Sequence, residues 1–288
     1  MITIPRIKRA PLRAAFPAFP DRRVILFLDL NETLIRTGEV GLRDRLTEQR
    51  QHETFCELCV ALAARRPPLD VVLLTGNSFE YSRRIEEPLG LKNRAGIDVT
   101  IVSENGLLAR AFRRGDLWRE TPAPAYAEAT MRFLDAMKRD QKLGAAFYSQ
   151  GNEVRLTLKP VANRFLDEEL TVATAIAERS DPRGAVQFYF HPFYIDADPK
   201  EIIVDGHARP FGGKAYAVER LLAEEDRFPI AIGDSLSDAP AFASVAAHGG
   251  CSFLIGNADH PRLAGAIRVG APFAAGVNAV LRALLDAP

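Results

Sequence analysis

The chain has 288 residues, 47% of them hydrophobic, and its 37 basic and 37 acidic side chains cancel. That length suits one large domain or two moderate ones, and the balanced charge excludes a global field for nucleic acid or an anionic membrane, so any anion site must be local. Three cysteines are too few for a disulfide framework and fit a reducing, cytoplasmic setting, while no apolar run reaches the ~18 residues of a membrane helix.

In chain order, residues 1–21 are rich in Lys and Arg, hold no acid before Asp21, and read as a flexible basic tail. "RVILFLDL" is a continuous run of branched apolar residues, as expected of a strand buried on both faces. A helix over 43–65 follows; its Cys56 and Cys59 form a C-x-x-C read as small residues facing the core, without zinc or redox chemistry. "LDVVLLTGN" repeats the buried-strand pattern, "SFEYSRRIEEPLG" is a helix ending at Gly90, and "DVTIVSENG" is a third buried strand. Strand and helix alternating at this spacing predict a parallel sheet with helices on its faces.

The rhythm changes near residue 111. "PAYAEATMRFLDAMKRDQ" and "ANRFLDEELTVATAIAERS" read as helices, and "NEVRLTLKP", "AVQFYFHPFYIDADP" and "KEIIVDG" as alternating strands with one wet face. Arg155, Thr157 and Lys159 share a face of one strand. It reads as an ordinary solvated face, with contact to an anionic or sugar substrate as the other reading; His191 and Trp118 are given no role. From "FGGKAYAVERLLAEE" the buried-strand rhythm resumes with "FPIAIGDSLSDAPAF" and "CSFLIGNA". The predicted architecture is α/β: a Rossmann-like parallel-sheet core with helices on both faces, formed by 22–110 and 208–288, and an αβ cap inserted over 111–207.

Open parallel sheets place ligands at the carboxyl ends of their strands. Three strands end there in polar clusters, Asp29–Thr33, Thr75–Ser78 and Asp234–Asp238, and Lys214 opens the helix before the last. Acids, a hydroxyl and an amine at one edge suit a Mg²⁺-dependent phosphoryl site. The Asp29 carboxylate would attack phosphorus, with Asp29 and Asp234 holding the ion. Lys214 would hold the nucleophile and neutralise phosphate charge, and Thr75 with backbone N–H groups around Gly76 and Asn77 would bind phosphoryl oxygens.

"DLNET", "LLTGN", Lys214 in "FGGK" and "GDSLSD" resemble, in order, the four motifs of the haloacid dehalogenase superfamily. "SENG", "IGNA" and "AAGVNAVLRALL" further resemble its Cof-type subgroup, which includes sucrose-phosphate and mannosyl-3-phosphoglycerate phosphatases. The resemblance implies Asp29 as nucleophile, Thr33 as the threonine of the first motif, Thr75 as the phosphate-binding hydroxyl and Lys214 as the motif-three lysine. It makes Asp234 a metal ligand, Asp238 the second acid of motif four and a further metal-site residue, and the backbone carbonyl of Asn31 a third protein ligand to Mg²⁺. The implied activity is that of a phosphatase on a small phosphorylated metabolite such as a sugar phosphate. Cap residues would close over the site and select the substrate. The expected state is a monomer or small homo-oligomer.

Three positions depart from the pattern. Asn31 stands where the family has an acid that protonates the leaving oxygen and then activates water, and an amide has no proton to transfer at neutral pH. Losing such a group typically costs roughly 10² to 10⁴ in rate. Glu32 replaces a usual glycine and Asn77 a common arginine. Several accounts of Asn31 stay open: Glu32 as substitute acid, a substrate with a good leaving group, or a move to ligand binding or to another bond such as carbon–halogen. Asn105 and Asn257 are each read as either a site-lining amide or a turn.

Overall fold

The computed structural model describes residues 9–36, 42–65, 68–256, 263 and 265–288. Asn257 lies outside them. The chain divides into two compact units, one running to Leu117 and resuming over Lys214–Pro288, the other Trp118–Gly213.

The first unit opens with α1 (Arg9–Ala15), β1 (Arg23–Leu28), α2 (Leu42–Arg65), β2 (Leu69–Leu74), α3 (Phe79–Leu89), β3 (Ile97–Ser103) and β4 (Leu108–Ala111), and β5 (Gly115–Arg119) runs across its boundary after Leu117. The second holds β6 (Thr121–Pro122), α4 (Pro124–Arg139), β7 (Phe147–Ser149), β8 (Leu156–Pro160), α5 (Asp167–Ser180), β9 (Val186–His191), β10 (Tyr194–Pro199), β11 (Glu201–Val204) and β12 (His207–Pro210). The first unit resumes with α6 (Lys214–Leu222), β13 (Arg227–Gly233), α7 (Ala239–Ala247), β14 (Cys251–Ile255), β15 (Ala266–Val269) and α8 (Phe273–Leu285). The unit boundaries fall later than the sequence suggests, at 117/118 and 213/214 rather than 110/111 and 207/208. The cause is pairing: β4 and β5 extend the core sheet, and β12 is the hairpin partner of β11.

The core sheet has the order β15-β14-β13-β1-β2-β3-β4-β5. From β15 to β3 every neighbour is parallel, and β4 turns back antiparallel on β3. β1, β2, β3 and β13 are buried along nearly their whole length, as continuous apolar runs require. The order reverses direction at β1, which lies between β13 and β2, so the crevice where such sheets take ligands lies at the ends of these strands.

One face carries a large apolar cluster including Val24, Leu26, Leu28, Val71 and Leu73 from the sheet with Phe55 and Cys59 of α2 and Val277, Leu281 and Leu284 of α8. Cys56 and Cys59 belong to it, and burial raises both thiols, as inert core cysteines require. The basic N-terminal segment is not all tail. Leu12 of α1 and the following Phe16 are buried in the same cluster, with the Phe16 ring 5.5 Å from that of Phe253. Two apolar residues at i and i+4 outweigh the basic composition around them.

In the second unit a sheet of order β7-β8-β10-β9 packs one face on α4 and α5 through Phe133, Met137, Leu158, Phe165, Ile176 and Ile195. A three-stranded sheet, β12-β11-β6, completes the unit, its β11–β12 hairpin closed by Asp205–Gly206, both at positive φ. The solvated-face reading fails at Arg155, which is 5% exposed and ion-paired to Asp196 at 2.5 Å and Asp198 at 2.6 Å. Thr157 is also buried and donates to Asp196. Alternation placed these residues together, but nothing in it shows acids of the next strand neutralising the arginine. His191 stacks on Tyr194 and Trp118 is buried. No helix among the described residues is long and apolar enough to cross a membrane.

Candidate active site

The register of the sheet builds the site. Leu28 pairs with Ile232 on one side and Leu73 on the other, so Asp29, Asp234 and Thr75 emerge at neighbouring strand ends within one unit. The Asp29 N–H still donates to Ile232 O at 3.0 Å, which holds the residue at the last rung. Lys214 is the first residue of α6, preceded by Gly213 at φ 61°, a left-handed conformation that glycine adopts without strain. Its side chain is buried and its Nζ donates to Asp29 Oδ1 and Asp238 Oδ1, both at 2.6 Å.

Asp238 is engaged on both oxygens. Oδ1 accepts from Lys214, and Oδ2 accepts from the backbone N–H groups of Asp234 at 3.1 Å and Ser235 at 3.2 Å. The carboxylate lies so close to Gly233 that a Cβ there would meet Asp238 Oδ2 at 2.4 Å, which explains the glycine before Asp234. Asp234 accepts a hydrogen bond at Oδ1 from Thr33 Oγ1 at 3.0 Å. Ligand oxygens of Asp29, Asp234 and Asp238 all lie within 4.8 Å of one another.

Three acids around one ammonium leave surplus negative charge. Burial pushes the Asp29 carboxyl up to about 7; Lys214 pulls it down, and Asp238 and Asp234 push it further up. Burial, with Asp238 next, raises Asp234 to about 6 against the Thr33 hydrogen bond and Lys214. Burial pulls Lys214 down, but Asp238 and Asp29 together outweigh it and hold the ammonium charged. A hard cation with oxygen ligands would relieve this repulsion, and the donor set fits one.

Thr75 and Asn77 form a second bonded group at the end of β2. Thr75 Oγ1 accepts from both the backbone N–H and the Nδ2 of Asn77, each at 3.1 Å, so the Asn77 amide turns back onto the loop. The loop is braced by Asn105 N–H to Thr75 O at 3.0 Å and Glu104 N–H to Asn77 O at 2.9 Å. Asn105, at φ 58°, has the left-handed backbone of a turn. Gly76 lies between these bonded residues, with its backbone at the same edge.

Asn31 follows Asp29 by two residues and pairs as an isolated bridge with Ile35. Glu32 takes φ 57°, a left-handed conformation that glycine would adopt without strain. The residue that sequence reasoning missed is Tyr81, which donates its hydroxyl to Asn31 Oδ1 at 3.1 Å. Burial raises the Tyr81 phenol, and the Asp29 charge adds to that, so it keeps its proton. The signal was present. Ser78 caps α3 by accepting from Tyr81 N–H, which fixes Tyr81 in the first turn after the polar loop of β2.

No family model matches the sequence, and no curated protein does. Solved structures do. A haloacid dehalogenase-like hydrolase from Bacteroides thetaiotaomicron matches with a TM-score of 0.59 at 16% identity, covering 91% of this chain and 99% of its own. Trehalose-6-phosphate phosphatase of Aspergillus fumigatus matches with a TM-score of 0.58 at 16% identity over 97% of both chains. IMP-nucleotidase of Plasmodium falciparum matches at 0.56 and 12% identity, covering 96% of this chain and 69% of its own. At such identities the likeness establishes the fold: the chain has the Rossmann-like fold of haloacid dehalogenase-type hydrolases along nearly its whole length.

Proposed function

We propose that the chain is a Mg²⁺-dependent phosphatase acting on a small phosphorylated metabolite through a covalent phosphate on Asp29. The observation that carries the reading is the state of the Asp29 carboxylate. One oxygen is paired to Lys214, and the other has no protein partner among the described residues at the switch point of the sheet. A carboxylate so held is oriented for in-line attack.

Asp29, Asp234 and the backbone carbonyl of Asn31 would hold Mg²⁺. Asp238, its oxygens committed to Lys214 and two amides, serves that ligand set mainly by fixing Asp234 and Lys214. The ion, when bound, supplies charge neutralisation between nucleophile and phosphate. Lys214 adds a fixed positive charge beside the attacking oxygen, Thr33 orients Asp234, and Thr75 with the amides of Gly76 and Asn77 receives phosphoryl oxygens.

Sugar and nucleotide monophosphates belong in the first assays because solved neighbours carry those substrates in their names. The test is phosphate release from such a panel, with acetyl phosphate and p-nitrophenyl phosphate, by wild type and Asp29→Asn, with and without Mg²⁺. Release that requires both Asp29 and the ion is the expected result. Asn31 gives weight to a second reading, a protein that binds a phosphorylated ligand without turnover. That reading predicts a Mg²⁺-dependent rise in melting temperature with ligand and no phosphate released.

A further inference from the structure

Asn31 stands two residues after Asp29, where the resemblance implies a proton donor, and its amide is held. Tyr81 donates to Oδ1, while Nδ2 has no hydrogen-bond partner among the described residues. An amide has one acceptor end and one donor end, so fixing the oxygen on Tyr81 turns the N–H groups the other way. Tyr81 is itself set by the α3 cap and by packing against the core cluster. The pair stands beside the nucleophile, since Asn31 follows Asp29 by two residues and Tyr81 hydrogen-bonds its side chain.

Resting on the phosphatase reading of Asp29, we propose that Tyr81 is a positioning residue that locks Asn31 as a hydrogen-bond donor toward the leaving oxygen. The site then acts on phosphates whose leaving group departs as a stable anion: acyl, enol and aryl phosphates rather than alkyl esters. In the first step Asp29 bonds to phosphorus, and the bond to the leaving oxygen breaks, its electron pair going with that oxygen. No proton comes from the chain; Asn31 Nδ2–H steadies the departing anion. In the second step water attacks phosphorus and the bond to Asp29 breaks, returning the pair to the carboxylate, while both water protons leave on dihydrogen phosphate. This step has no general base in Asn31, so it is the slower one and the aspartyl-phosphate accumulates.

The experiment compares acetyl phosphate, p-nitrophenyl phosphate and glycerol 3-phosphate with Mg²⁺, in wild type, Tyr81→Phe, Asn31→Ala and the double variant. Wild type should show a burst of about one p-nitrophenolate per chain and a steep fall in rate from the acyl to the alkyl phosphate. Tyr81→Phe should slow the p-nitrophenolate burst, which reports the first step, about fivefold, the worth of one neutral hydrogen bond, with melting temperature unchanged. The same change in the Asn31→Ala background should do nothing further, because Tyr81 acts through the amide. A full effect of Tyr81→Phe without Asn31 overturns the positioning role, and equal wild-type rates on the acyl and alkyl phosphates overturn the substrate class. Failure of the underlying reading looks different: wild type then releases no more phosphate than Asp29→Asn from any compound, and the inference falls with it.

Discussion

Buried charge collects at both ends of the core sheet, and the two collections differ in balance. At the carboxyl ends, Asp29, Asp234 and Asp238 share the Lys214 ammonium. At the amino ends, Asp70 receives Arg23 at 2.5 Å and Arg227 at 3.2 Å, while Asp98 receives Arg23 at 3.2 Å and Arg113 at 3.1 Å. Burial raises Asp70 as well, but arginines stand against it from two strands. At the amino ends Glu225 also pairs with Arg23 and Arg227, so cation and anion are matched there, whereas the carboxyl ends have too little cation. Matched charge holds strands together; mismatched charge at a crevice is affinity held in reserve for a ligand.

The largest effects should come from breaking the mismatched end. Asp29→Asn should abolish phosphate release while raising the melting temperature of the metal-free protein at neutral pH, since it removes a buried, crowded carboxylate. A lowered melting temperature would show that the Lys214 pair stabilises the fold more than crowding costs it. Asn31→Asp should raise turnover of alkyl phosphates by roughly 10² to 10⁴, the usual worth of a positioned acid–base. An unchanged rate would mean that the proton already comes from elsewhere.

At the matched end the same kind of change should act on stability alone. Arg227→Met leaves Asp70 with Arg23 only, and should cost roughly 3 kcal/mol by denaturant unfolding, as breaking a buried pair does. Turnover per folded molecule should stay as in wild type. A selective loss of kcat would erase the distinction between the two ends.

The two ends should also differ in pH dependence. Asp29 and Asp234 have folded-state values of about 7 and about 6, above their ordinary value of 3.8. An acid that binds its proton more tightly when folded stabilises the fold below its unfolded value and loses that contribution as pH rises through the folded one. The metal-free protein should therefore lose melting temperature between about pH 4 and 7. Mg²⁺ should restore it at pH 7.5 and do little at pH 4.5, where the ligands are protonated. A flat profile without metal would show that the acids are not crowded.

What the sequence made legible follows from which interactions are local. The buried strands and α2 could be read because apolar runs and helical periodicity are properties of single segments. The site edge could be read because Asp29, Thr75 and Asp234 each end such a strand. Three features could not. Arg155 gains its acids from β10, β5 joins the core sheet by pairing with β4, and Tyr81 reaches Asn31 from fifty positions away. Each depends on a partner from another segment, which periodicity does not report. Lys214 is the exception that shows the rule, since its long-range contact was anticipated through a motif order and not through its own surroundings.

The smallest prediction concerns the strained residue between the two ends' logics. Glu32 holds φ 57° beside the crowded acids, and its charge adds to the pressure on Asp234. Glu32→Gly and Glu32→Ala both remove that charge, but only glycine enters the left-handed region freely, so the glycine variant should be the more stable by about 1 kcal/mol. Their shared loss of charge should weaken Mg²⁺ binding equally in both, separating electrostatics from backbone strain within one pair of variants. Turnover of glycerol 3-phosphate decides the remaining point: if Asn31 donates without protonating, neither variant slows it. A collapse of that rate in both would identify Glu32 as the acid, and the turn at φ 57° would then be strain retained to aim it.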